Sequence, residues 1–367
     1  MEKKIRAVGA AVLVAVWAAL TLWCWFGPAN DVSESERRPL TQMPQIKGDA
    51  ILSGKFMTDF EKYTLDQFPV RDAFRQLKAL NHYYGLRQGD NNGIYIVGGF
   101  AVKQEYPLKQ ESVDYALRRF EDLYETYFKE SGSTLFVSVV PDKNYYLAEP
   151  NGYLAMDYGA LFADVQAAMP WATYVDLTDC LTSADYYRTD THWRQEKILD
   201  AAKKLCDAMG VSAFTQEEMT VTAVDRPFYG VYYGQAALPM APETIYTLEN
   251  PVISGCTVYQ FETGLTSSVY DMDKLTSRDL YDVFLSGAQS ILTVENPNAN
   301  TDRELIVFRD SFGSSLTPLL LKDYKTVTLV DIRYVSSSKL ADLLDFHGQD
   351  VLFLYSTLVL NSSSAMR

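Results

Sequence analysis

The sequence predicts an α/β fold built on a mainly parallel sheet. Two runs, at residues 134–141 and 305–308, are mostly apolar and rich in β-favouring residues, which is typical of strands buried on both faces. Three more strand-like runs occur at 173–176, 326–331 and 351–355. Helix-like segments separate most of these runs, and such alternation is the signature of the α/β class.

The predicted helices have apolar residues spaced three and four apart. Ser112 is the expected N-cap of one of them. The segment 211–300 is richer in Thr, Tyr and turn residues, and we expect it to form a mixed insertion on the sheet. The helix-like segments of the α/β region are 112–129, 160–168, 195–209 and 338–346.

The N-terminus predicts a membrane-spanning segment. Residues 7–26 carry no charge, and 20 apolar residues suffice to cross a bilayer as a helix. Lys3, Lys4 and Arg6 precede them, and such a basic flank stays in the cytoplasm. We therefore expect a single-pass signal anchor in the cell membrane with the rest of the chain extracytoplasmic, cleavage being the alternative.

This reading divides the chain into three parts. Residues 1–29 form the cytoplasmic stub and anchor, and residues 30–95 form a polar linker followed by a helical segment. Residues 96–367 form the main α/β domain with its insertion at about 211–300.

The composition excludes one class of partner and leaves the cysteines open. A formal net charge of −14 argues against binding nucleic acid, which needs clustered Lys and Arg. Four cysteines are present. A disulfide between Cys180 and Cys206 is our preferred pairing outside the cell, and buried free thiols are the equal alternative.

Ser311 stands where a buried strand runs into a helix. This placement exposes the hydroxyl at the carboxyl end of the strand and aims N–H groups at any oxyanion formed there. The alternative is that Asp310 and Ser311 simply cap the helix. A nucleophilic serine needs a base, so the two interpretations differ in requiring a histidine.

His192 is the best candidate for that base among only three histidines, the others being His82 and His347. In an extended chain, residues two apart project to the same side, so Asp190 and His192 point together. A carboxylate beside an imidazole fixes its tautomer and stabilises its protonated form. One alternative is that Asp190 and its neighbours form a polar turn that caps the next helix. Another is that His192 binds a metal, but the sequence offers too few further ligands for such a site.

The segments around these residues resemble a known family. Asp190-Thr191-His192-Trp193 and the downstream Arg309-Asp310-Ser311-Phe312 resemble the DHHW family and the related alginate O-acetyltransferases, which are SGNH-hydrolase-like proteins of bacterial cell surfaces. Further matching stretches are 36–40, 66–72, 92–95, 331–334 and 352–356.

The resemblance implies an SGNH-hydrolase-like α/β/α sandwich in which Ser311 is the nucleophile, His192 the general base and Asp190 its orienting partner. The order of these motifs is permuted relative to ordinary SGNH hydrolases. Thr191 stands where the family name has a second histidine, so we expect no catalytic role there. No metal and no cofactor are expected.

The oxyanion and substrate contacts are less clearly marked. The Ser311 N–H is the first expected oxyanion donor. The further candidates for oxyanion or substrate binding are Asn144, Gly287, Arg333, Trp193, Tyr145 and Tyr187.

The implied function is O-acetyl transfer to an exported or cell-surface polysaccharide through an acetyl-serine. Because acetyl-coenzyme A is cytoplasmic, the resemblance also implies a membrane-bound O-acyltransferase partner that passes acetyl groups outward. A carbohydrate esterase or deacetylase using the same triad, and a non-catalytic polysaccharide-binding assembly protein, are the alternatives.

Overall fold

The structure is a computed structural model that describes residues 2–367. The chain forms two compact units. The smaller unit consists of the residues up to Asn92 together with Tyr233–Met240, and the larger one of Gly93–Tyr232 and Ala241–Arg367.

The smaller unit is mainly helical. Its first helix includes the segment Lys3–Phe26, which is long and apolar enough either to span a membrane or to serve as a signal sequence. A short π-helical turn at Asn81–Gly85 ends the helical part. In chain order the elements are α1 (Glu2–Phe26), β1 (Val32–Ser33), β2 (Arg38–Pro39), α2 (Gly48–Leu52), α3 (Lys55–Asp66) and α4 (Arg71–Leu80).

An eight-stranded mixed sheet forms the centre of the larger unit. Its strands are β5 (Thr134–Val140), β6 (Thr173–Tyr174), β9 (Thr257–Gln260), β10 (Thr266–Ser267), β11 (Ile291–Glu295), β12 (Arg303–Arg309), β13 (Tyr324–Val330) and β14 (Asp350–Ser356). Their order is β10-β9-β11-β13-β12-β14-β5-β6. The five strands from β13 to β6 are parallel, and the other three add antiparallel to the β13 edge.

Two hairpins stand outside this sheet, and helices cover both of its faces. The hairpins pair β3 (Ile94–Val97) with β4 (Phe100–Lys103) and β7 (Thr220–Ala223) with β8 (Tyr246–Glu249). The helices are α5 (Gln110–Leu123), α6 (Lys143–Leu147), α7 (Tyr158–Ala168), α8 (Leu199–Met209), α9 (Val231–Ala236), α10 (Pro251–Ser254), α11 (Phe312–Leu316) and α12 (Thr357–Leu360). Alternate residues of β12 enter two cores, one shared with α8 and α11 and one with α5 and α7.

The predicted α/β/α class with a mainly parallel sheet is therefore confirmed, and the buried strands fall where the apolar runs placed them. Several local predictions were wrong. The segment 338–346 contains only a 3₁₀ turn at Ser337–Asp342, and the strand at 173–176 ends at Tyr174. The helix predicted at 112–129 begins at Gln110, so Ser112 does not cap it.

Of the two alternatives for the cysteines, the structure has the free thiols and not the Cys180–Cys206 disulfide. All four cysteines are free thiols, and Cys206 is buried on α8 while Cys180 lies half-buried in a loop. Burial raises the pKa of the Cys206 thiol to about 12, so it behaves as a small apolar core residue.

Buried carboxylates tie the carboxyl ends of the parallel strands together. Asp310, directly after β12, accepts hydrogen bonds from the Ser356 amide (2.8 Å) and hydroxyl (2.6 Å) at the end of β14. Asp142, directly after β5, accepts one from the Thr357 hydroxyl (2.7 Å). Burial raises the pKa of Asp142 to about 6. These bonds fix the sheet edge that carries Ser311.

Candidate active site

Ser311 lies between β12 and α11, as the sequence predicts, and its side chain caps nothing. Asp310 makes the turn instead, because its Oδ1 accepts a hydrogen bond from the Phe312 amide at 3.0 Å. Ser311 is half-buried, whereas the residues on either side of it are buried. The capping alternative therefore applies to Asp310 and leaves the Ser311 hydroxyl for another role.

A chain of hydrogen bonds joins Ser311 to His192 and Asp190. His192 Nε2 lies 2.8 Å from Ser311 Oγ, and His192 Nδ1 lies 2.6 Å from Asp190 Oδ1. An ionised carboxylate can only accept, so Nδ1 carries the proton and Nε2 is left to accept one from the serine. Asp190 is fully buried and His192 nearly so, which strengthens both interactions.

The insertion completes the environment of Asp190. The Val231 amide donates to Asp190 Oδ2 at 2.7 Å, so each carboxylate oxygen has a donor. Gly230 allows this approach, because a Cβ atom there would lie 2.3 Å from the Asp190 nitrogen. Tyr232 follows and donates its hydroxyl to Thr191 Oγ1 at 3.0 Å, which gives Thr191 a structural contact.

The half-buried Glu243 and the buried Lys143 hold the irregular segment that leads to Asp190. Glu243 accepts hydrogen bonds from the amides of Arg188 and Thr189, both at 2.8 Å, and from the Thr189 hydroxyl at 2.7 Å. Lys143 donates from the other side to the carbonyls of Tyr187 (2.8 Å) and Arg188 (3.3 Å). The backbone before Asp190 is therefore fixed through both its N–H and its C=O groups.

Tyr281 supports the histidine ring directly. The two rings stack with centroids 3.9 Å apart and planes 9° from parallel. The Tyr281 hydroxyl lies 2.7 Å from Ser315 Oγ, which also accepts a hydrogen bond from the Trp193 indole at 2.9 Å. These contacts link the segment carrying His192 to the helix that follows Ser311.

The residues expected near an oxyanion have different environments. Asn144 is fully buried, and its side chain contacts the hydroxyls of Tyr95 (2.9 Å) and Tyr158 (3.3 Å). Arg333 forms a two-pronged ion pair with Asp331. Both side chains are thus committed to the carboxyl edge of the sheet, and the Ser311 amide stays our first oxyanion donor.

Gly287 ends a run of three left-handed residues, Leu285, Ser286 and Gly287. Its carbonyl faces the guanidinium of Arg309 at 3.4 Å. A Cβ at Gly287 would lie 2.2 Å from Asp282 Oδ1, so the glycine permits a close turn. This position has a conformational reason to be glycine that is independent of substrate.

The aromatic candidates for substrate contact need correction. Trp193 and Tyr187 are completely buried, so neither presents a face to a sugar. Tyr145 is half-buried and packs edge-on against Tyr146 and Tyr158. We assign Trp193 and Tyr187 to the core, where aromatic residues between strands and helices commonly lie.

Sequence reasoning missed the groups that surround the triad. Val231, Glu243 and Tyr281 lie in the segment 211–300, between 39 and 89 residues beyond His192 by their numbers. Neither their types nor their spacing marks them, because each acts through a contact that only the folded chain creates. Among residues 2–367, no group of three or more His, Cys, Asp or Glu side chains is arranged to hold a metal ion.

These features define an α/β protein with a hydrogen-bonded Ser, His and Asp at the carboxyl edge of its mainly parallel sheet. Residues 176–330 match the family model described as DHHW protein. The predicted resemblance to the DHHW family is thereby confirmed. No curated protein sequence is significantly similar to the chain.

Two solved structures with TM-scores above 0.5 share this fold, and a third is more distant. A DHHW family protein from Eubacterium siraeum superposes with a TM-score of 0.61 and 21% identity, covering 75% of this chain and 94% of that one. Bacillus cereus PatB1, solved with a sulfonyl adduct, gives a TM-score of 0.57 and 16% identity, covering 73% and 95%. The O-acetyltransferase domain of Pseudomonas putida AlgJ gives 0.45 and 14%, covering 73% and 92%.

Proposed function

We propose that this protein is a membrane-anchored, extracytoplasmic O-acetyltransferase that modifies an exported or cell-surface polysaccharide. The observation that carries the proposal is the chain from Asp190 through His192 to a half-exposed Ser311, with hydrogen bonds of 2.6 and 2.8 Å. A serine, a base and an orienting carboxylate in this order suit nucleophilic acyl transfer.

In the first half-reaction Ser311 Oγ attacks the carbonyl carbon of an acetyl donor, and its proton passes to His192 Nε2. The tetrahedral oxyanion meets the Ser311 N–H. Collapse breaks the bond to the donor's leaving group, which takes the proton back from His192. The product is an acetyl ester on Ser311 and a neutral imidazole.

In the second half-reaction a sugar hydroxyl replaces the donor. His192 Nε2 takes the proton of that hydroxyl as its oxygen attacks the acetyl carbon, and Ser311 leaves with the proton returned by His192. Attack by water in the same position would release acetate. The Asp190 carboxylate stabilises the imidazolium formed in both halves.

The anchor and the donor partner belong to the same proposal. The apolar segment Lys3–Phe26 would hold the catalytic unit at the outer membrane surface, beside a nascent polymer. A membrane-bound O-acyltransferase would deliver the acetyl group to Ser311 there. The O-acetyltransferase name of the AlgJ domain agrees with this chemistry.

The direct test is acetyl transfer by the purified full chain in detergent. An activated acetyl ester serves as donor and a panel of oligosaccharides as acceptors, and mass spectrometry counts acetylated sugar and free acetate. Ser311→Ala should abolish both products, while Ser314→Ala, on the same turn of α11, should keep them. The fold of each variant is checked by its melting temperature.

Three outcomes separate the possible functions. Acetylated sugar in the wild type, absent in Ser311→Ala, supports the transferase. Free acetate alone, with every acceptor tried, makes the protein an esterase. Equal product from Ser311→Ala and the wild type contradicts the role of Ser311. Because PatB1 was crystallised with a sulfonyl adduct, a sulfonyl fluoride is a suitable second probe for labelling Ser311.

A further inference from the structure

In the smaller unit, some arginine side chains are largely buried while large apolar side chains are exposed, which is the reverse of the usual distribution. In α4, Arg71 and Arg75 are only 15% and 18% exposed, and both pair with Glu36. Leu77 on the same helix is 62% exposed, and Val70 just before it is 68% exposed. A surface helix in water turns its charges outward and its apolar stripe inward. In this helix both arginines are turned towards the protein, whereas Phe74 and Leu77 are turned away from it, and Asp72 and Lys78 are exposed as well.

Neighbouring segments extend this apolar surface. Exposed large apolar residues recur in α2, α3, α4 and the residues that follow, although these elements are short and have enough charges to be soluble. Scattered single residues of this kind would need no explanation, but a run of them in one helical segment does. The exposed apolar residues between α2 and Leu86 are Ile51, Leu52, Met57, Leu65, Val70, Phe74, Leu77, Leu80, Tyr84 and Leu86.

Contacts with α1 indicate what covers this surface. Phe68, in the turn between α3 and α4, packs against Trp17, and Phe60 packs against Trp25. The Tyr63 hydroxyl donates to the Cys24 carbonyl at 3.2 Å. One face of α1 therefore contacts α3 and the turn, while most of its other residues remain exposed. A bilayer that receives the exposed part of α1 also meets these neighbouring elements.

The position of Trp17 in α1 indicates how deep the turn between α3 and α4 lies in the membrane. It lies nine residues before the end of α1 at Phe26, which is roughly 13 Å along a helix rising 1.5 Å per residue. A hydrocarbon core is about 30 Å thick. Since Phe68 contacts Trp17, the turn between α3 and α4 reaches below the outer end of the apolar helix, to the depth of acyl chains.

The polar groups of this turn are compatible with that depth. Gln67 is buried, and its backbone N–H donates to the Tyr63 carbonyl at 2.8 Å. The Gln67 side chain exchanges hydrogen bonds with both backbone groups of Asn30, each at 2.8 Å. Pro69 has no N–H, and the Arg71 amide donates to the Phe68 carbonyl. Backbone groups at membrane depth are tolerated when they are satisfied, as the amides of Gln67 and Arg71 are.

We propose that α3, α4 and the turn between them lie in the outer leaflet of the membrane, with Leu65, Val70, Phe74 and Leu77 among its acyl chains. The segment is thus a second membrane contact beside the anchor, in the manner of an interfacial amphipathic helix. The ion pairs of Glu36 with Arg71 and Arg75 hold the charged face of α4 away from lipid. The inference rests on the proposed anchor, because α1 supplies the depth reference.

The test is lipid quenching of a fluorophore on the full chain in phosphatidylcholine vesicles. Single cysteines are introduced by Leu77→Cys, Val14→Cys and Leu154→Cys, with the four native cysteines replaced by alanine, and each is labelled with an environment-sensitive dye. Val14 reports the anchor, and Leu154 is an exposed apolar residue of the larger unit. Quenching is measured with lipids carrying a spin label on the acyl chain.

We expect strong quenching and a blue-shifted emission at positions 14 and 77 and neither at position 154. Quenching at 14 without quenching at 77 overturns the inference and leaves the anchor standing. Quenching at neither position overturns both. If position 77 becomes protected only in native membranes and not in pure lipid, a protein partner covers this face and the lipid assignment is wrong.

Discussion

The candidate site is built from two regions that contribute different things. The Ser311 side, comprising β12, Asp310 and α11, supplies a reacting group whose position follows from a short local stretch of sequence. The insertion side supplies no proposed reacting group. It provides the Val231 amide, the Glu243 carboxylate and the Tyr281 ring, all directed at Asp190, His192 or the backbone before them.

The difference shows that one region supplies the reacting serine and the other holds its partners in position. A strand end on a sheet of hydrogen-bonded neighbours is rigid by itself, whereas Asp190 and His192 lie in irregular chain. Irregular backbone must be held by side chains and amides from elsewhere if it is to keep an imidazole within reach of a serine. Each of the following changes alters Asp190 itself or a group that holds Asp190, His192 or the backbone before them.

The largest effect is expected for Asp190→Asn. An amide cannot accept from Val231 and His192 on both of its ends, and it favours the wrong imidazole tautomer for taking a proton from Ser311. We expect kcat/KM to fall by roughly 10³ to 10⁴-fold while the chain stays folded. Steady-state hydrolysis of an activated acetyl ester measures it, and a loss below about tenfold would remove Asp190 from the proposed triad.

A smaller but still large effect is expected for Gly230→Ala. Its Cβ would lie 2.3 Å from backbone atoms of Thr189 and Asp190, so the insertion must move away from the carboxylate. A displacement of about 1 Å can cost about 10²-fold in rate. Gly159→Ala is the control, because its Cβ would meet only ordinary contacts at the start of α7. Equal activity in both variants would show that Val231 does not position Asp190.

Glu243→Gln should lower activity about tenfold, through loosening of the backbone before Asp190. The carboxylate accepts three hydrogen bonds from Arg188 and Thr189, and the amide group of glutamine would face one or more of those donors. Unfolding free energy should fall by about 1–3 kcal/mol. Urea denaturation and kcat are measured together, and loss of stability with unchanged kcat would limit Glu243 to the fold.

Lys143→Met tests the opposite side of the same segment through pH. Burial lowers the pKa of Lys143 to about 7, and the carboxylates of Asp190 and Glu243 oppose that shift. Above this value the folded chain binds fewer protons than the unfolded chain, so stability rises with pH. We expect this residue to add up to about 1.4 kcal/mol per pH unit between about pH 7 and the ordinary lysine pKa of 10.5.

In the methionine variant this rise in unfolding free energy should disappear, which denaturation at several pH values will show. Lys203→Met is the control, since Lys203 is exposed on α8 and pairs with Asp207 near the surface. A slope that persists unchanged in Lys143→Met would mean that another group titrates in this range.

The smallest effect is expected for Tyr281→Phe. The substitution keeps the ring stacked on His192 and removes only the hydroxyl contact with Ser315. We expect a loss of about 1 kcal/mol of stability and a change in kcat of no more than a few-fold. Tyr281→Leu should lose the stack as well and fall roughly fivefold further. Identical kcat values for the two variants would contradict a role for the ring.

Sequence patterns correctly predicted the features that depend on a few neighbouring residues. The buried runs at 134–141 and 305–308 became β5 and β12, because mostly apolar runs of β-favouring residues are stable only where both faces are covered. The pair Asp190 and His192 was found on the expectation of extended chain, whereas the segment is a bend in which the His192 amide donates to Asp190 Oδ1 at 3.1 Å. Family resemblance then linked it to Ser311, across more than a hundred residues.

What the sequence could not predict depends on distant contacts. Trp193 and Tyr187 looked suitable for sugar binding, yet their burial follows from the packing of the insertion and α11 around them. Tyr281 gave no signal, since an isolated tyrosine in a short helical turn is compatible with many roles. The reversed faces of α4 could not be seen either, because amphipathic spacing identifies two faces without telling which one is turned inward.

The central claim is that Ser311 becomes acetylated during the reaction. The full chain is mixed with an activated acetyl ester, quenched in acid within the first turnover, and digested for peptide mass spectrometry. The account predicts one added acetyl group on the peptide containing Ser311, lost on addition of an oligosaccharide acceptor and absent in His192→Ala. An acetyl group found only on other residues, or none while product forms, would contradict it.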